Sequence, residues 1–414
     1  MKILHICNSD GGGAGIAAFR LHLALRAEGI DSWMAVRDRK NEACKVVTLD
    51  SPAAKIARRV NGRSERRAKL GLKEASGVLW SVSDWRTFNV STINRIGADL
   101  VHLHWINGGT LGIPDLRKIE APLVWSLHDI WPLSNGAHYL GDDFDVGGEV
   151  EMRKVTIERR VQNAKEKYWA DLNLTWIPLS TWMAEQVKSS AYSYSYPVEQ
   201  IWNSVPQSIY KLGNQKEARK NLSLPLEIKI ILFGAENAFE DRRKGSDLLV
   251  KALESLPRRQ KDNPDTAMFL SFGGDGKERK LSNGYTIKDI GRIEGDDSLA
   301  ALYQAADLFI CPSREDNLPN TCVEAVSTGL PVVSFSVGGL SDIVVPGLSG
   351  CLVPPFSTEL LSQAIQKFIE GELRYDRDEI FEFALNRFSP ERQVKEITKV
   401  YSGALGRFKN RLEL

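Results

Sequence analysis

The residues best placed to do chemistry are two carboxylates and a cluster of cations in the C-terminal half. Asp316 and Glu324 stand eight residues apart in Cys311-Pro312-Ser313-Arg314-Glu315-Asp316-Asn317-Leu318-Pro319-Asn320-Thr321-Cys322-Val323-Glu324-Ala325, and Gly329-Leu330-Pro331-Val332-Val333 follows. The pattern predicts a strand ending at Cys311, an irregular loop, a helix that carries Glu324 and stops near Gly329, then a new strand. A carboxylate accepts two hydroxyls at once, which suits a sugar diol. In the run Asn317-Leu318-Pro319-Asn320, near a helix start, the backbone N–H groups of Asn317, Leu318 and Asn320 suit phosphate. Upstream, Arg242-Arg243-Lys244-Gly245 follows the strand-like Ile231-Leu232-Phe233-Gly234. A guanidinium fork beside an ammonium point charge suits a diphosphate.

The N-terminal half offers weaker groups. Asn8-Ser9-Asp10-Gly11-Gly12-Gly13-Ala14-Gly15 follows a strand and opens a helix. The glycines let backbone approach a ligand, and the helix start favours an anion. The run is neither GxGxxG nor a P-loop, since no GK[ST] follows. His128-Asp129 closes a strand before a Pro-marked loop and can bond sugar hydroxyls or polarise a reacting group; a satisfied structural histidine is the plainer alternative. His102 and His104 alternate on one side of a strand, but no third metal ligand is evident, so packing or polar lining is expected. Ser336-Val337-Gly338-Gly339 follows a later strand and reads either as a turn or as a close backbone approach to the same ligand.

Elements must hold these groups in place. Apolar runs at 2–7, 99–103, 123–127, 228–233, 267–272, 307–311 and 331–335 alternate with helical patterns such as 15–28 and 246–255. Such alternation implies parallel sheets covered on both faces. The run repeats as two series separated by the polar stretch 211–225. The tail 390–414 reads as one helix whose basic end, Arg407, Lys409 and Arg411, complements its dipole.

The chain of 414 residues carries 54 Lys and Arg against 53 Asp and Glu, a net charge of +1. A globally basic nucleic-acid binder is therefore not expected. No window offers about 18 uninterrupted apolar residues, so no membrane-spanning helix is expected. Five cysteines without CxxC pairing suggest reduced thiols in a cytoplasmic protein. The segment 55–73, which opens on Lys55 and closes on Lys73, is strongly basic. It is either a solvated face or a peripheral contact with an anionic acceptor or the inner face of a membrane.

The pattern Asp316, seven residues, Glu324-Ala325 and Gly329-Leu330-Pro331-Val332-Val333 resembles that of the family 4 retaining glycosyltransferases. The likeness extends to residues 3–15, His128-Asp129, Trp202-Asn203-Ser204-Val205-Pro206, Arg243-Lys244-Gly245, Gly273-Gly274-Asp275-Gly276 and Ala306-Asp307. The run Asp316-Asn317-Leu318-Pro319-Asn320 is similar to the branch that builds bacterial exopolysaccharide, colanic-acid-type or lipopolysaccharide glycans. The resemblance implies an α/β protein of GT-B fold, with two doubly wound Rossmann-like domains facing a central cleft. Residues 1–205 would bind the acceptor, 206–390 would bind the donor, and 391–414 would be a helix crossing back to the first domain.

The resemblance also implies roles. Arg243 and Lys244 would bind the donor diphosphate, Glu324 the ribose and Asp316 the donor sugar. Asn317, Leu318, Pro319 and Asn320 would border phosphates and sugar, Gly12 and Gly13 would lie beside diphosphate and acceptor, and His128 would touch the sugar near the reacting centre. The expected partners are a nucleoside diphosphate sugar, UDP before GDP, and a glycan or lipid-linked acceptor. There are departures: Asp316 stands where the family usually has Glu, and Ala235 where Arg usually follows Gly. The Cys-rich insert common after the His-Asp loop is absent around Gly136-Ala137-His138-Tyr139 and Asp142-Asp143, so no structural metal is expected there. No DxD motif stands in metal-binding context, and no cofactor is expected. Rival readings are a sugar-nucleotide epimerase of the same fold and a non-catalytic sugar-nucleotide-binding subunit.

Overall fold

Val-, Ile- and Leu-rich runs become parallel strands in two separate sheets. The computed structural model describes residues 1–414 apart from 50, 73–76, 142–147, 195, 259–266 and 414. Lys73 and the Asp142-Asp143 pair lie outside the described residues. The chain divides into two units, Met1–Asn203 with Gln393–Leu414, and Ser204–Arg392.

The first unit contains β1 (Lys2–Ser9), α1 (Gly12–Ala27), β2 (Asp31–Asp38), β3 (Val46–Thr48), α2 (Pro52–Ala68), α3 (Val90–Ile96), β4 (Leu100–Leu103), β5 (Leu123–Leu127), α4 (Gly148–Trp169), β6 (Leu174–Pro178) and α5 (Thr181–Ser189). Its sheet runs β3-β2-β1-β4-β5-β6, all parallel. Strand side chains alternate faces, and here the two faces differ in chemistry. Leu4, Ile6, Val101, Leu103, Trp125 and Trp176 join a core built with Trp131 and Trp169. The other face carries His5, His102, His104 and Ser126, all buried. Lys165 of α4 is fully buried beneath the rings of Trp131 and Trp169. Its ammonium donates to the carbonyls of Trp131, Pro132 and Ser134, which pins the loop after β5.

The second unit contains α6 (Gln215–Asn221), β7 (Lys229–Gly234), α7 (Ser246–Glu254), β8 (Ala267–Phe272), β9 (Glu278–Lys280), β10 (Thr286–Asp289), α8 (Asp296–Ala305), β11 (Leu308–Cys311), α9 (Asn320–Ser327), β12 (Val332–Phe335), β13 (Gly350–Val353), α10 (Thr358–Ile369) and α11 (Arg377–Phe388). Its sheet runs β13-β12-β11-β7-β8-β10-β9, and only β9 is antiparallel. The last helix, α12 (Pro390–Leu412), belongs to the first unit from Gln393 onward. Its Tyr401 hydroxyl lies 2.7 Å from His102 Nδ1.

Three expectations need correction. The polar stretch 211–225 is not a bare break, because it contains α6. Arg219 of that helix is buried, pairs with Asp307 and donates to the carbonyls of Ala305, Leu226 and Ile228. A polar composition hid a helix held by a buried guanidinium. At the tail, Arg407 donates to Thr175 Oγ1 at 2.8 Å and Arg411 to the Asp171 carbonyl at 3.2 Å, so these two charges tie α12 to the edge of the sheet and do not simply cap a dipole. The glycine run is mostly helix: α1 begins at Gly12, with only Asp10 and Gly11 before it.

The basic segment forms α2, capped by Ser51, whose hydroxyl accepts from the Ala54 N–H. Among the described residues no helix is long and apolar enough to cross a membrane.

Candidate functional site

In the second sheet the chain leaves β7 toward β8 on one side, while β11 and β12 extend the other. The order reverses between β7 and β11, and in such sheets ligands bind beyond the carboxyl ends of the strands at that point. The loops after β7 and β11 carry Arg243 with Lys244, and Asp316, respectively.

These three side chains meet. Lys244 Nζ donates to Asp316 Oδ2 at 2.7 Å, and Arg243 Nη1 reaches the same oxygen at 3.2 Å. Arg243 Nη2 also bonds Asp241 Oδ2 at 3.0 Å. The three side chains of the triad are 16%, 17% and 13% exposed in the order Lys244, Arg243, Asp316. Burial opposes ionisation of the Asp316 carboxyl, but the Lys244 and Arg243 charges outweigh it and hold the group below its usual range.

Backbone contacts fix the loops. Asp241 accepts from the Arg243 N–H at 3.0 Å and starts a short 3₁₀ turn, Arg242–Lys244. The Arg314 N–H donates to the Arg243 carbonyl at 2.8 Å, and the Arg314 guanidinium grips both oxygens of Asp247 at 2.6 and 2.7 Å. Gly245 has φ +69°, and a Cβ there would stand 1.9 Å from the Pro312 carbonyl oxygen. The Gly338-Gly339 turn supports Asp316: the Gly339 N–H donates to the Asp316 carbonyl at 3.0 Å, and a Cβ on Gly338 would meet that oxygen at 2.0 Å. Sequence reasoning left that turn open between two readings and did not foresee Asp241 as the cap.

Asn317, Leu318 and Pro319 are buried in the loop, and Asn320 is half-buried where α9 starts. No side chain caps α9, so its positive end is turned toward the loop. Glu324 lies inside α9 and accepts from the Tyr303 hydroxyl at 3.2 Å. Burial and the Glu324 charge push the Tyr303 hydroxyl well up.

In the first unit, Asp10 is buried, and its carboxylate accepts from the N–H groups of Lys40 and Asn41 at 2.5 and 2.9 Å. Gly15 packs against β1, where a Cβ would fall 2.4 Å from the Ser9 carbonyl oxygen. Gly12 has φ +69°, and a Cβ on Gly13 would meet nothing within 4 Å. The two glycines named in sequence reasoning thus sit at the open start of α1, and Gly15 serves packing.

The His-Asp pair divides. Asp129 turns inward to Trp105 Nε1 at 2.8 Å and His138 Nδ1 at 2.6 Å. It also accepts from the Trp131 N–H, and Ser81 Oγ lies 2.8 Å from His138 Nε2. Asp129 is therefore a brace and makes no contact available to a sugar hydroxyl, which corrects half of the pair's expected use. Burial opposes its ionisation, and His138 more than compensates, so its carboxyl is held low. His128 is half-buried, with Nε2 3.0 Å from His104 Nδ1. Burial pushes its imidazole down to about 4 against the raising effect of Asp129. The expected lack of a third imidazole beside His102 and His104 is also corrected. His5 on β1 pairs in register with His102, and the three rings have ligand-type atoms within 4.8 Å of one another.

Residues 228–371 match the family described as "Glycosyl transferases group 1". A D-inositol 3-phosphate glycosyltransferase 1 of Catenulispora acidiphila is 27% identical over 287 residues, covering 67% of this chain and 65% of that protein. A D-inositol 3-phosphate glycosyltransferase of Corynebacterium efficiens is 26% identical over 422 residues, covering 95% of this chain and 91% of that one. The chain thus spans about two thirds of the first relative's length and most of the second's. Among solved structures, sucrose-phosphate synthase from Thermosynechococcus elongatus superposes with a TM-score of 0.70 at 19% identity, covering 98% of this chain and all of that one. Anabaena Alr3699/HepE in complex with UDP-glucose gives 0.64 at 17% identity, covering 97% of this chain and all of that one. Matched segment, relatives and two Rossmann-like sheets agree: residues 228–371 match the group 1 glycosyltransferases, the relatives are named as glycosyltransferases, and the chain has the GT-B fold.

Proposed function

We propose that this chain transfers a hexosyl group from a nucleoside diphosphate sugar to a hydroxyl of a glycan or lipid-linked acceptor, with the anomeric configuration retained and UDP as the leaving group. The observation that carries the reading is the Arg243–Lys244–Asp316 triad at the switch point of the second sheet, beside the uncapped start of α9. Two cations with little exposure share one carboxylate, so they can accept a diphosphate without first shedding bulk water. As the sugar–phosphate bond breaks, charge grows on the leaving diphosphate. Fixed cations and a helix start stabilise that charge without reorganising.

The remaining roles follow from the same reading. Arg243 and Lys244 hold the diphosphate, Glu324 the ribose, and Asp316 the donor sugar. Asn317, Leu318, Pro319 and Asn320 border them through backbone. His128 contacts the sugar, and Gly12 with Gly13 leave room for diphosphate and acceptor. HepE with UDP-glucose, and a pneumococcal transferase with UDP and GlcNAc, share the fold and so are consistent with a UDP-sugar donor. The basic helix α2 exposes Ile56 and Val60, each 63% exposed and one turn apart, among its arginines. That composition suits contact with anionic lipid around a lipid-linked acceptor. Co-sedimentation with phosphatidylglycerol vesicles but not with phosphatidylcholine vesicles tests it, and equal recovery with both would sink it.

The deciding experiment is calorimetric binding of UDP and GDP, without metal, to the wild-type chain and to Glu324→Ala. UDP binding that is lost in the variant is expected. A folded wild-type chain that binds neither nucleotide would overturn the donor site. The anomeric proton of the product, read by NMR from an α-linked donor, tests retention.

A further inference from the structure

The imidazole face of the first sheet holds two rings, His5 and His104, that the transfer reaction as proposed does not use and that stand in line with His128. His5 Nδ1 lies 3.0 Å from His104 Nε2, and His104 Nδ1 lies 3.0 Å from His128 Nε2. His5 and His104 are buried, and His5 Nε2 is a buried atom with no hydrogen-bond partner. Among the described residues His128 Nδ1 has no protein partner.

Each N···N contact needs one N–H, and each neutral ring carries one. His104 can donate only once, so two arrangements exist. In the first, His5 Nδ1–H donates to His104, His104 Nδ1–H donates to His128 Nε2, and His128 carries its proton on Nδ1. In the second every proton is reversed, which leaves an N–H on His5 Nε2. That N–H would be buried without an acceptor, and orphaned buried N–H groups are the rarer and costlier kind. The first arrangement leaves only a bare lone pair there. Burial also keeps the His5 and His104 rings far below their ordinary range, as neutral imidazoles.

We propose that His5 and His104 are positioning residues that fix the tautomer of His128, so that it presents Nδ1–H, a neutral hydrogen-bond donor, to an oxygen of the bound sugar. The role toward the sugar rests on the reading of His128 given under the proposed function; the tautomer does not. The chain makes His128 a donor and removes it as a base. His102 stands outside the chain, bonded to the hydroxyls of Tyr401 at 2.7 Å and Ser126 at 2.9 Å. Both nitrogens of His102 and of His104 are thus engaged. A cation among His5, His102 and His104 would have to break bonds at two of its three ligands, so the arrangement favours the hydrogen-bonded chain.

The test is two-bond ¹H–¹⁵N NMR on the full chain labelled with ¹⁵N-histidine, at neutral pH, with His128 assigned from a His128→Phe sample. Wild type is expected to show His128 protonated on Nδ1 and bare on Nε2. His104→Asn, whose amide can still donate to His128 Nε2, should keep that form. His104→Leu should release the ring to the Nε2–H form and lower turnover about tenfold, the worth of one hydrogen bond. A wild-type His128 in the Nε2–H form, or charged, overturns the proposal, and this spectrum decides even if His104→Leu does not fold. The expected spectra with unchanged turnover in His104→Leu would uphold the tautomer and overturn the placing of His128 on the sugar.

Discussion

Lys244→Ala separates charge stabilisation from folding. Lys244 Nζ sits 2.7 Å from Asp316, and Arg243 reaches the same carboxylate at 3.2 Å, with side chains 16% and 17% exposed. Exposed pairs are worth about 0–1 kcal/mol, and breaking a buried pair costs about 3–5 kcal/mol. Arg243 remains to serve Asp316, so the variant should lose about 1–2 kcal/mol. At about 2–4 °C per kcal/mol for a unit of this size, its melting temperature should fall by about 2–8 °C. The catalytic loss is larger, because removing one fixed donor to a developing anion costs about 10²–10³ in kcat. The assay is UDP release at saturating UDP-sugar, beside a thermal melt of the same sample. A Lys244→Ala chain that melts within that window but turns over within about threefold of wild type, under 1 kcal/mol in barrier, would refute the reasoning. The acid side gives a second check. Because the Asp316 carboxyl is held below its ordinary value, its contribution to stability is present above pH about 4 and is lost as pH falls through the lowered folded value. In Lys244→Ala the folded value lies closer to the ordinary one, so that loss should be smaller and should be complete at a higher pH.

Gly245→Ala places a Cβ 1.9 Å from the Pro312 carbonyl oxygen at φ +69°, and should cost about 1–3 kcal/mol in urea unfolding. An unchanged midpoint would show that the two loops are less tightly joined than described. Asp129→Asn weakens the acceptor that Trp105 Nε1, the Trp131 N–H and His138 share and should destabilise the first unit by about 1–3 kcal/mol. The wild-type carboxyl is held low, so this contribution should begin to fade at pH about 4 and be gone once the pH has fallen through the lowered folded value, where variant and wild type should converge. Tyr401→Phe strands buried His102 Nδ1 and should cost about 1–3 kcal/mol, read as faster amide exchange in α12. Transfer activity should persist in excess chelator, and activity restored only by added Mg²⁺ or Mn²⁺ would overturn metal independence.

Strand positions were legible because parallel, two-sided burial writes a continuous apolar run: 123–127 and 267–272 coincide with β5 and β8, and 307–311 exceeds β11 by one residue. Edge strands were not legible. The edge strand β9, Glu278–Lys280, and its inner neighbour β10, Thr286–Asp289, are short and polar because at least one face meets water. The meeting of Arg243, Lys244 and Asp316 was half legible. Each loop announced its chemistry, but the sharing of one carboxylate by two cations depends on β7 lying beside β11. The imidazole chain was illegible for the same reason: His5 comes opposite His102 only through the β1–β4 register. Asp129 misled because sequence shows a His-Asp neighbour pair, while the turn after β5 sends the two side chains to opposite duties.

The first unit is assembled from two stretches of chain, Met1–Asn203 and Gln393–Leu414. On a ribosome these stretches do not emerge together. Between them the roughly 190 residues of the second unit must be made, about 10–40 s at ~5–20 residues per second. Throughout that interval His102 lacks the Tyr401 hydroxyl, and Thr175 lacks the Arg407 guanidinium. The unit that starts first therefore finishes last. The nascent chain carries an imidazole-faced sheet without its final helix while the second unit, contiguous in sequence, is free to close on its own.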